Sequence, residues 1–137
     1  METQHLRTIK ALFFATRQRI REKLAADDCD DPNAWVRHEA LYFIATHNGP
    51  TMRDVALFLH IRPSSATSLV GHLMRSGLVE RKVDKKDKRV VRMFPSLRGR
   101  TVLKRYDARS LKAMGEVFSV LSKKRMEELI ALLETIQ

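Results

Sequence analysis

Serine and threonine are concentrated on one face of residues 62–81, RPSSATSLVGHLMRSGLVER, whose other face is apolar. At 100° per residue, Ala66, Leu69, Val70 and Leu73 fall within one arc, which predicts a helix with that side buried. Small hydrogen-bonding residues are poor choices for helix stability, and Gly71 costs about 1 kcal/mol relative to Ala. This opposite side is therefore predicted to meet a partner. We call it the hydroxyl face, and it consists of Ser64, Ser65, Thr67, Ser68, Gly71, His72 and Arg75.

A charged run, DKKDKR at residues 84–89, lies between two short segments rich in β-branched residues. The segments LVERKV (78–83) and VVRMF (90–94) partly alternate in polarity, which predicts two strands joined by a hairpin. Over the whole chain, 26 Lys and Arg against 16 Asp and Glu give a net charge of +10. This excess favours a polyanionic partner, nucleic acid before a membrane surface. The alternative is a basic surface that is merely solvated.

Three helices are predicted before these segments. Apolar residues recur at helical spacing over about residues 2–25, and the pattern ends at the acidic loop DDCDDP. Pro32 and Asn33 open a second helix, which ends near the Asn-Gly-Pro at 48–50. The candidate core residues of this second helix are Trp35, Leu41 and Ile44. Thr51 with Asp54 three residues later is a capping-box pattern, which predicts a short third helix that ends at about His60.

The order of these elements matches a winged helix. Pro63 suits the first turn of the fourth helix because its missing N–H is not needed there, and Gly77 ends that helix. A short helix, a tight turn and this second helix form a helix-turn-helix, whose second helix enters the major groove of DNA. Hydroxyl side chains can there bond to phosphates or base edges. The cationic hairpin end at residues 84–89, which we call the wing tip, can insert into the adjacent minor groove.

The stretch from residue 51 to residue 99 resembles the DNA-binding core of the MarR family of bacterial and archaeal transcription regulators. Three motifs carry the resemblance. A Leu-x-x-x-Gly-Leu-Val step is present as Leu73, Gly77, Leu78 and Val79. The family's wing commonly reads Asp-x-x-Asp-Arg/Lys-Arg, and the chain has Asp84, Asp87, Lys88 and Arg89. A Ser-Leu-Arg-Gly opening of a long helix follows at residues 96–99.

The resemblance implies a mainly α fold with a small β wing, in one MarR-like domain over residues 1–137. Dimerisation helices at 1–32 and 96–137 would flank a winged helix-turn-helix core at 33–95. It also implies a homodimeric repressor on a palindromic operator. The sequence agrees, because apolar stripes on the first helix and on two helices at 96–121 and 122–136 exceed what one chain easily covers. The alternative is an intramolecular bundle. In a dimer, the recognition helices would lie roughly 10 bp apart on DNA.

Candidate DNA contacts come from the hydroxyl face, the wing tip and the basic residues around them. They are Arg53, Arg62, Ser64, Ser65, Thr67, Ser68, His72, Arg75, Arg81, Lys86, Lys88 and Arg89. For each arginine outside the wing tip, the alternative is plain surface charge. Asp87 is predicted either to fold back onto a neighbouring cation and shape the wing or to be an ordinary turn residue. Serine bonds to several bases, so the operator sequence does not follow from this face.

Three positions depart from the family pattern. His60 stands in the turn where Gly or Asn is common, which predicts local strain. Arg62 stands where a Ser, Thr or Asp cap is common, which predicts an additional phosphate contact. Pro95 replaces the usual Leu at the end of the second wing strand, and this leaves the start of the fifth helix open.

The resemblance further implies release from DNA by a small aromatic or phenolic ligand. Trp35, Phe43, Phe13 and Phe14 are candidates to line its cleft, and the alternative for each is an ordinary core position. Cys29 invites a redox role, but its four flanking aspartates suppress the reactive thiolate.

No metal, cofactor or enzymatic chemistry is expected. His38 and Glu39 begin like a zinc-protease helix, but Tyr42 stands where the second ligand belongs. The sequence has no Gly-rich phosphate loop and no nucleophile elbow. The longest apolar run near its start, residues 11–15, is too short for a signal or a membrane span, so we expect a cytoplasmic protein. Two alternatives to a sequence-specific regulator stay open: a nonspecific architectural DNA- or RNA-binding protein, and a protein-interaction module that has kept the fold.

Overall fold

The computed structural model describes residues 2–25 and 33–137. Its elements are α1 (Glu2–Ala25), α2 (Ala34–Thr46), α3 (Met52–Leu59), α4 (Pro63–Arg75), β1 (Val79–Val83), β2 (Val91–Pro95), α5 (Leu97–Phe118) and α6 (Lys123–Glu134). The two strands pair antiparallel. The predicted fold class, mainly α with a small β wing, is confirmed. Cys29 and Pro32, for which the sequence predicts roles, lie outside the described residues.

The chain divides into two compact units. The winged unit is the described part of Asp30–Asp107, and the helical unit comprises the described parts of Met1–Cys29 and Ala108–Gln137. Helix α5 begins in the winged unit and ends in the helical unit. Among the described helices, none combines the length and the apolar character that crossing a lipid bilayer requires.

In the winged unit, α2, α3, α4 and both strands contribute to one apolar core. Its members are at most 7% exposed and are Ala40, Leu41, Phe43, Ile44, Val55, Val70, Leu73, Val79 and Met93. Of the core residues predicted in α2, Leu41 and Ile44 are buried and Trp35 is half-buried. Burying a large apolar side chain contributes about 1.5–3 kcal/mol. Packing of this kind can hold α4 in place although its outer residues are mediocre helix formers.

Both ends of α3 match the sequence prediction. The Thr51 hydroxyl accepts a hydrogen bond from the Asp54 N–H at 3.3 Å, and the Asp54 carboxylate accepts one from the Thr51 N–H at 2.8 Å. These reciprocal bonds form the capping box. At the other end, His60 has a φ of 52°, in the left-handed region. A residue with a Cβ pays about 1–2 kcal/mol there, so the strain predicted in this turn is present.

Strand β1 begins one residue later than predicted, and β2 is shifted by one residue. The Leu78 N–H donates to the Leu73 carbonyl at 2.9 Å, so Leu78 completes the C-terminal turn of α4. The Val90 N–H donates to the Asp87 carbonyl at 3.0 Å, which places Val90 in the hairpin turn. Pro95, predicted to stand at the end of the second strand, is the last residue of β2.

Ser96 and Gly99 fix the start of α5, which the sequence left open. The Ser96 hydroxyl donates to the Gly77 carbonyl at 2.6 Å and accepts from the Gly99 N–H at 3.0 Å. A Cβ on Gly99 would collide with the Leu78 carbonyl oxygen. A capping hydroxyl and a missing side chain therefore join α5 closely to the segment between α4 and β1.

In the helical unit, polar contacts connect α1 to α5. Lys23 Nζ lies 2.9 Å from a Glu116 carboxylate oxygen, and the Arg109 guanidinium donates to the Leu24 carbonyl at 2.9 Å. Ser122 caps α6 by accepting from the Arg125 N–H. Large apolar side chains of this unit remain exposed, each by at least 58%: Leu6, Leu12, Phe13, Phe14, Leu111 and Ile136.

Candidate nucleic-acid interface

Helix α4 buries its apolar side and exposes its hydroxyl face. Ala66 and Val70 are fully buried, Leu73 is 1% exposed, and Leu69 packs against the same core. On the opposite side, the exposed residues are Ser64, Ser65, Thr67, Ser68 and Arg75, and the half-buried ones are Gly71 and His72. The apolar side thus anchors the helix, and the polar side is presented to solvent.

The first turn of α4 is suited to negative charge. Pro63 is its first residue, and Arg62, the N-cap residue, is exposed and makes no side-chain cap. The Thr67 hydroxyl donates to the Pro63 carbonyl at 2.9 Å, which leaves its oxygen lone pairs as acceptors. The backbone N–H groups of a helix start point outward, and the helix dipole makes that end positive.

Gly71 makes room for Arg75 on the hydroxyl face. A Cβ on Gly71 would lie 3.2 Å from an Arg75 guanidinium nitrogen. The absence of a side chain therefore lets the guanidinium lie against the helix. A groove of about 660 Å³ runs along this face, and its polar lining residues are Asn33, Arg37, Ser64, Ser65, Ser68, His72 and Arg75.

Two aspartates shape the wing tip. Asp84 accepts from the Lys86 N–H at 2.8 Å, and Asp87 accepts from the Arg89 N–H at 3.0 Å. The Arg89 side chain returns to the same Asp87 carboxylate at 3.1 and 3.3 Å. Asp87 therefore folds back onto a neighbouring cation, one of its two predicted roles. Arg89 holds the pKa of Asp87 below its ordinary value.

The remaining predicted cations are exposed and lie on three segments. Lys86 and Lys88 share the wing tip with Arg89, whose side chain is 91% exposed. Arg81 lies on β1 and Arg53 in the first turn of α3. The structure thus groups the predicted residues on α4 and at the wing tip, with two further arginines on neighbouring elements.

Arg92 is a polar residue of the wing that the sequence did not single out. Its Nε donates to Asp84 at 2.8 Å, and its Nη1 donates to the Gly49 carbonyl at 2.9 Å. Hydrogen bonds from the Lys86 N–H and then from Arg92 lower the pKa of Asp84. In sequence, Arg92 is one more cation in a basic strand. The position of Gly49, 43 residues away, gives no local signal of this bond.

The other chemical candidates take ordinary structural positions. His38 Nδ1 lies 2.6 Å from the Ala34 carbonyl, and its ring stacks on Tyr106 with centroids 3.9 Å apart. No cluster of three potential metal ligands occurs within residues 2–25 and 33–137. Phe43 is 7% exposed and stacks on Phe58 at 4.3 Å, as in a core. Phe13 and Phe14 are exposed on α1.

A family match covers the segment that contains this interface. Residues 34–90 match the model of the MarR family. The matched segment runs from the start of α2 into the turn of the wing. No curated protein matches the sequence.

Solved structures share the fold at low sequence identity. Apo MarR from E. coli is 19% identical with a TM-score of 0.77, covering 93% of this chain and 95% of that one. A MarR family protein from Bacillus stearothermophilus is 19% identical with a TM-score of 0.81, covering 98% and 91%. BpsR from Bordetella bronchiseptica, whose DNA binding is regulated by 6-hydroxynicotinic acid, is 16% identical with a TM-score of 0.75, covering 93% and 91%. At these identities the likeness establishes a common fold.

Proposed function

We propose that this chain is a cytoplasmic, homodimeric transcription regulator of the MarR family. The support is the match of residues 34–90 to the family model and the fold shared with solved MarR structures. The protein binds double-stranded DNA at a specific sequence. The observation that carries the proposal is the exposed hydroxyl face of α4, on the same compact unit as an exposed cationic wing tip.

In this proposal, the hydroxyl face of α4 enters the major groove. Its serines are short enough to let the helix approach the duplex, and they can donate to or accept from base edges. Arg62 and the N–H groups at the start of α4 bind phosphate, because that end of the helix is positive. Arg89, Lys86 and Lys88 of the wing tip reach the adjacent minor groove, where the negative potential is enhanced.

The exposed apolar residues of the helical unit support the proposed dimer. Leu6, Leu12 and Phe14 on α1, with Leu111 on α5 and Ile136 after α6, are each at least 61% exposed in the single chain. An apolar surface of this kind favours burial against a second copy over the intramolecular bundle. Two winged units related by a two-fold axis would bind a pseudo-palindromic operator with half-sites roughly 10 bp apart.

The regulation we propose is repression that a small aromatic ligand relieves. The support is the control of BpsR by 6-hydroxynicotinic acid. The winged unit of this chain has an open groove of about 460 Å³, lined by Phe43, Phe58, Leu57, Pro50 and Arg92 among others. Titrating 6-hydroxynicotinic acid into a protein–DNA complex tests this part, and unchanged binding at millimolar acid contradicts it for this compound.

Selection of bound sequences from a random duplex pool tests the function directly. We expect a pseudo-palindrome whose half-sites are spaced by about one helical turn, bound at least about a thousandfold more tightly than random duplex. Equal affinity for random duplex or RNA would instead indicate an architectural protein. If the protein binds no nucleic acid, the remaining alternative is a protein-interaction module that has kept the fold.

A matched pair of variants tests the wing. Arg89→Ala should weaken operator binding about tenfold, because it removes a minor-groove cation. Lys123→Ala is the control, since this lysine is 92% exposed on α6, which belongs to the helical unit and not to the winged unit. Operator affinity should stay within about twofold in the control. Equal effects of the two substitutions would contradict a specific role for the wing tip.

A further inference from the structure

We propose that Arg92 is a positioning residue, which fixes the wing tip relative to the helix-turn-helix so that the tip and α4 engage one duplex together. Its role in DNA binding rests on the function proposed above. The two hydrogen bonds of the Arg92 side chain, to Asp84 and to Gly49, are present without DNA, and we call them the tie.

Arg92 connects three segments of the winged unit through one guanidinium group. It lies on β2 and pairs with Lys82 on β1. We call each such cross-strand pair a rung, and only the Val83–Val91 rung lies nearer the hairpin turn. Its Nε donates to Asp84 at 2.8 Å, and its Nη1 donates to the Gly49 carbonyl at 2.9 Å. Gly49 belongs to the corner between α2 and α3, two residues before Thr51 of the capping box.

Asp84 extends the connection into the wing tip. One oxygen of its carboxylate accepts from Arg92, and the other accepts from the Lys86 N–H at 2.8 Å. A continuous series of hydrogen bonds therefore runs from the α2–α3 corner to the Lys86 N–H in the tip. The Asp84 side chain is 17% exposed, whereas the Asp87 carboxylate of the tip is 43% exposed. The Arg92–Asp84 pair is accordingly better shielded from solvent and salt.

The wing needs such a tie because its sheet is small. A two-stranded hairpin is only marginally stable by itself, and four of the five β1 residues are exposed. Near its base, the Met93 N–H donates to the Pro50 carbonyl at 2.9 Å, and the Phe94 ring packs where a Cβ on Gly49 would be. Arg92 holds the hairpin one rung nearer the tip.

The residue type matters because Arg92 serves two acceptors in different directions. The guanidinium group is a planar fork with five N–H donors, so it bonds a carboxylate and a carbonyl simultaneously. Lysine carries the same charge on a single nitrogen. Arg92→Lys should therefore restrain the wing tip less than arginine does but more than Arg92→Gln does. Lys82→Gln is the matched control, since it removes one positive charge from the same rung.

The first experiment measures amide hydrogen exchange by NMR in the free protein. Arg92→Gln should accelerate exchange of the Asp84 and Lys86 amides about tenfold, with Arg92→Lys intermediate, because the tie restrains opening of the tip. Lys82→Gln should change these rates by less than about twofold. Unchanged exchange at both amides in Arg92→Gln would overturn the tie, whatever the protein binds.

The second experiment is a double-mutant cycle on operator binding. Arg89→Ala should weaken binding about tenfold in the wild-type and Lys82→Gln backgrounds but less than about threefold in Arg92→Gln, where the tip is already misplaced. A purely structural role for Arg92 would leave the cost of Arg89→Ala unchanged, and that result would overturn the positioning role. If no operator is found, the proposed function and the positioning role both fail, and the exchange data still decide whether the tie exists.

Discussion

His60 holds the turn between α3 and α4 in a backbone conformation that suits glycine better than histidine. Its φ is 52°, and its N–H donates to the Ala56 and Leu57 carbonyls. We expect His60→Gly to raise the free energy of unfolding by about 1 kcal/mol, because relief of the Cβ strain exceeds the entropy that glycine adds to the unfolded chain. Urea unfolding followed by circular dichroism measures this. His60→Ala keeps the Cβ, and a stabilisation equal to that of glycine would contradict the strain.

Ser96 and Ser122 both cap helices, but their surroundings differ. The Ser96 hydroxyl is part-buried between the Gly77 carbonyl and the Gly99 N–H, whereas the Ser122 cap on α6 is exposed. Ser96→Ala should cost about 2–3 kcal/mol, because it removes a cap and leaves a shielded carbonyl without its donor. Ser122→Ala should cost at most about 1 kcal/mol. Thermal unfolding compares the two, and equal costs would show that burial of Ser96 adds nothing.

At the residue scale, the sequence predicts exposure better than it predicts pairing. The serines of the hydroxyl face are exposed as expected, because helical periodicity assigns each residue to a side. The fold-back of Asp87 onto a cation is local, so turn chemistry anticipates it. The bond from Arg92 to Gly49 joins residues far apart in the chain. Only the assembled fold brings these two together.

At the scale of elements, local sequence patterns predict which segments form helices. They do not predict the residues at which the strands begin and end. Caps and apolar spacing predict α1, α3 and α4 to within a residue. The strands differ from prediction because Leu78 and Val90 use their N–H groups in turns. Alternation of β-branched residues cannot reveal that competition. Pro95 ends β2, where its missing N–H is tolerated at a strand end.

The capping box of α3 makes the stability of the fold depend on pH. The Thr51 N–H, and then the Thr51 hydroxyl, hold the pKa of Asp54 below its ordinary value of 3.8. A depressed carboxyl pKa contributes stability above the unfolded-state value, and that contribution is lost as pH falls through the folded-state value. Asp54→Asn should therefore be less stable than wild type at pH 7, with the difference closing as the pH falls below the ordinary carboxyl pKa of 3.8. Urea unfolding across this range measures the gap, and a constant gap would contradict the assignment.

For the whole molecule, the two proposed interfaces lie on different units. The winged unit carries the candidate DNA contacts, and the helical unit exposes the apolar residues assigned to the dimer. Composition predicts the class of partner from the net charge of +10. It cannot predict the operator, because base preference depends on where each serine lies along the groove. A homodimer would double every phosphate contact that one winged unit makes.

This doubling gives a prediction for the salt dependence of binding. If the dimer neutralises about 6–10 phosphates, operator affinity should fall by roughly 10³ to 10⁵ between 50 and 200 mM salt, because bound counterions are released. Lys88→Ala removes one contact from each protomer, so the slope of log K against log salt should become shallower by about 1.8. Lys123→Ala should leave the slope unchanged. Fluorescence anisotropy with a labelled operator measures the slopes of the wild type and of the two variants. Wild-type binding that hardly depends on salt, or equal slopes in all three proteins, would exclude phosphate neutralisation at the wing as a source of affinity.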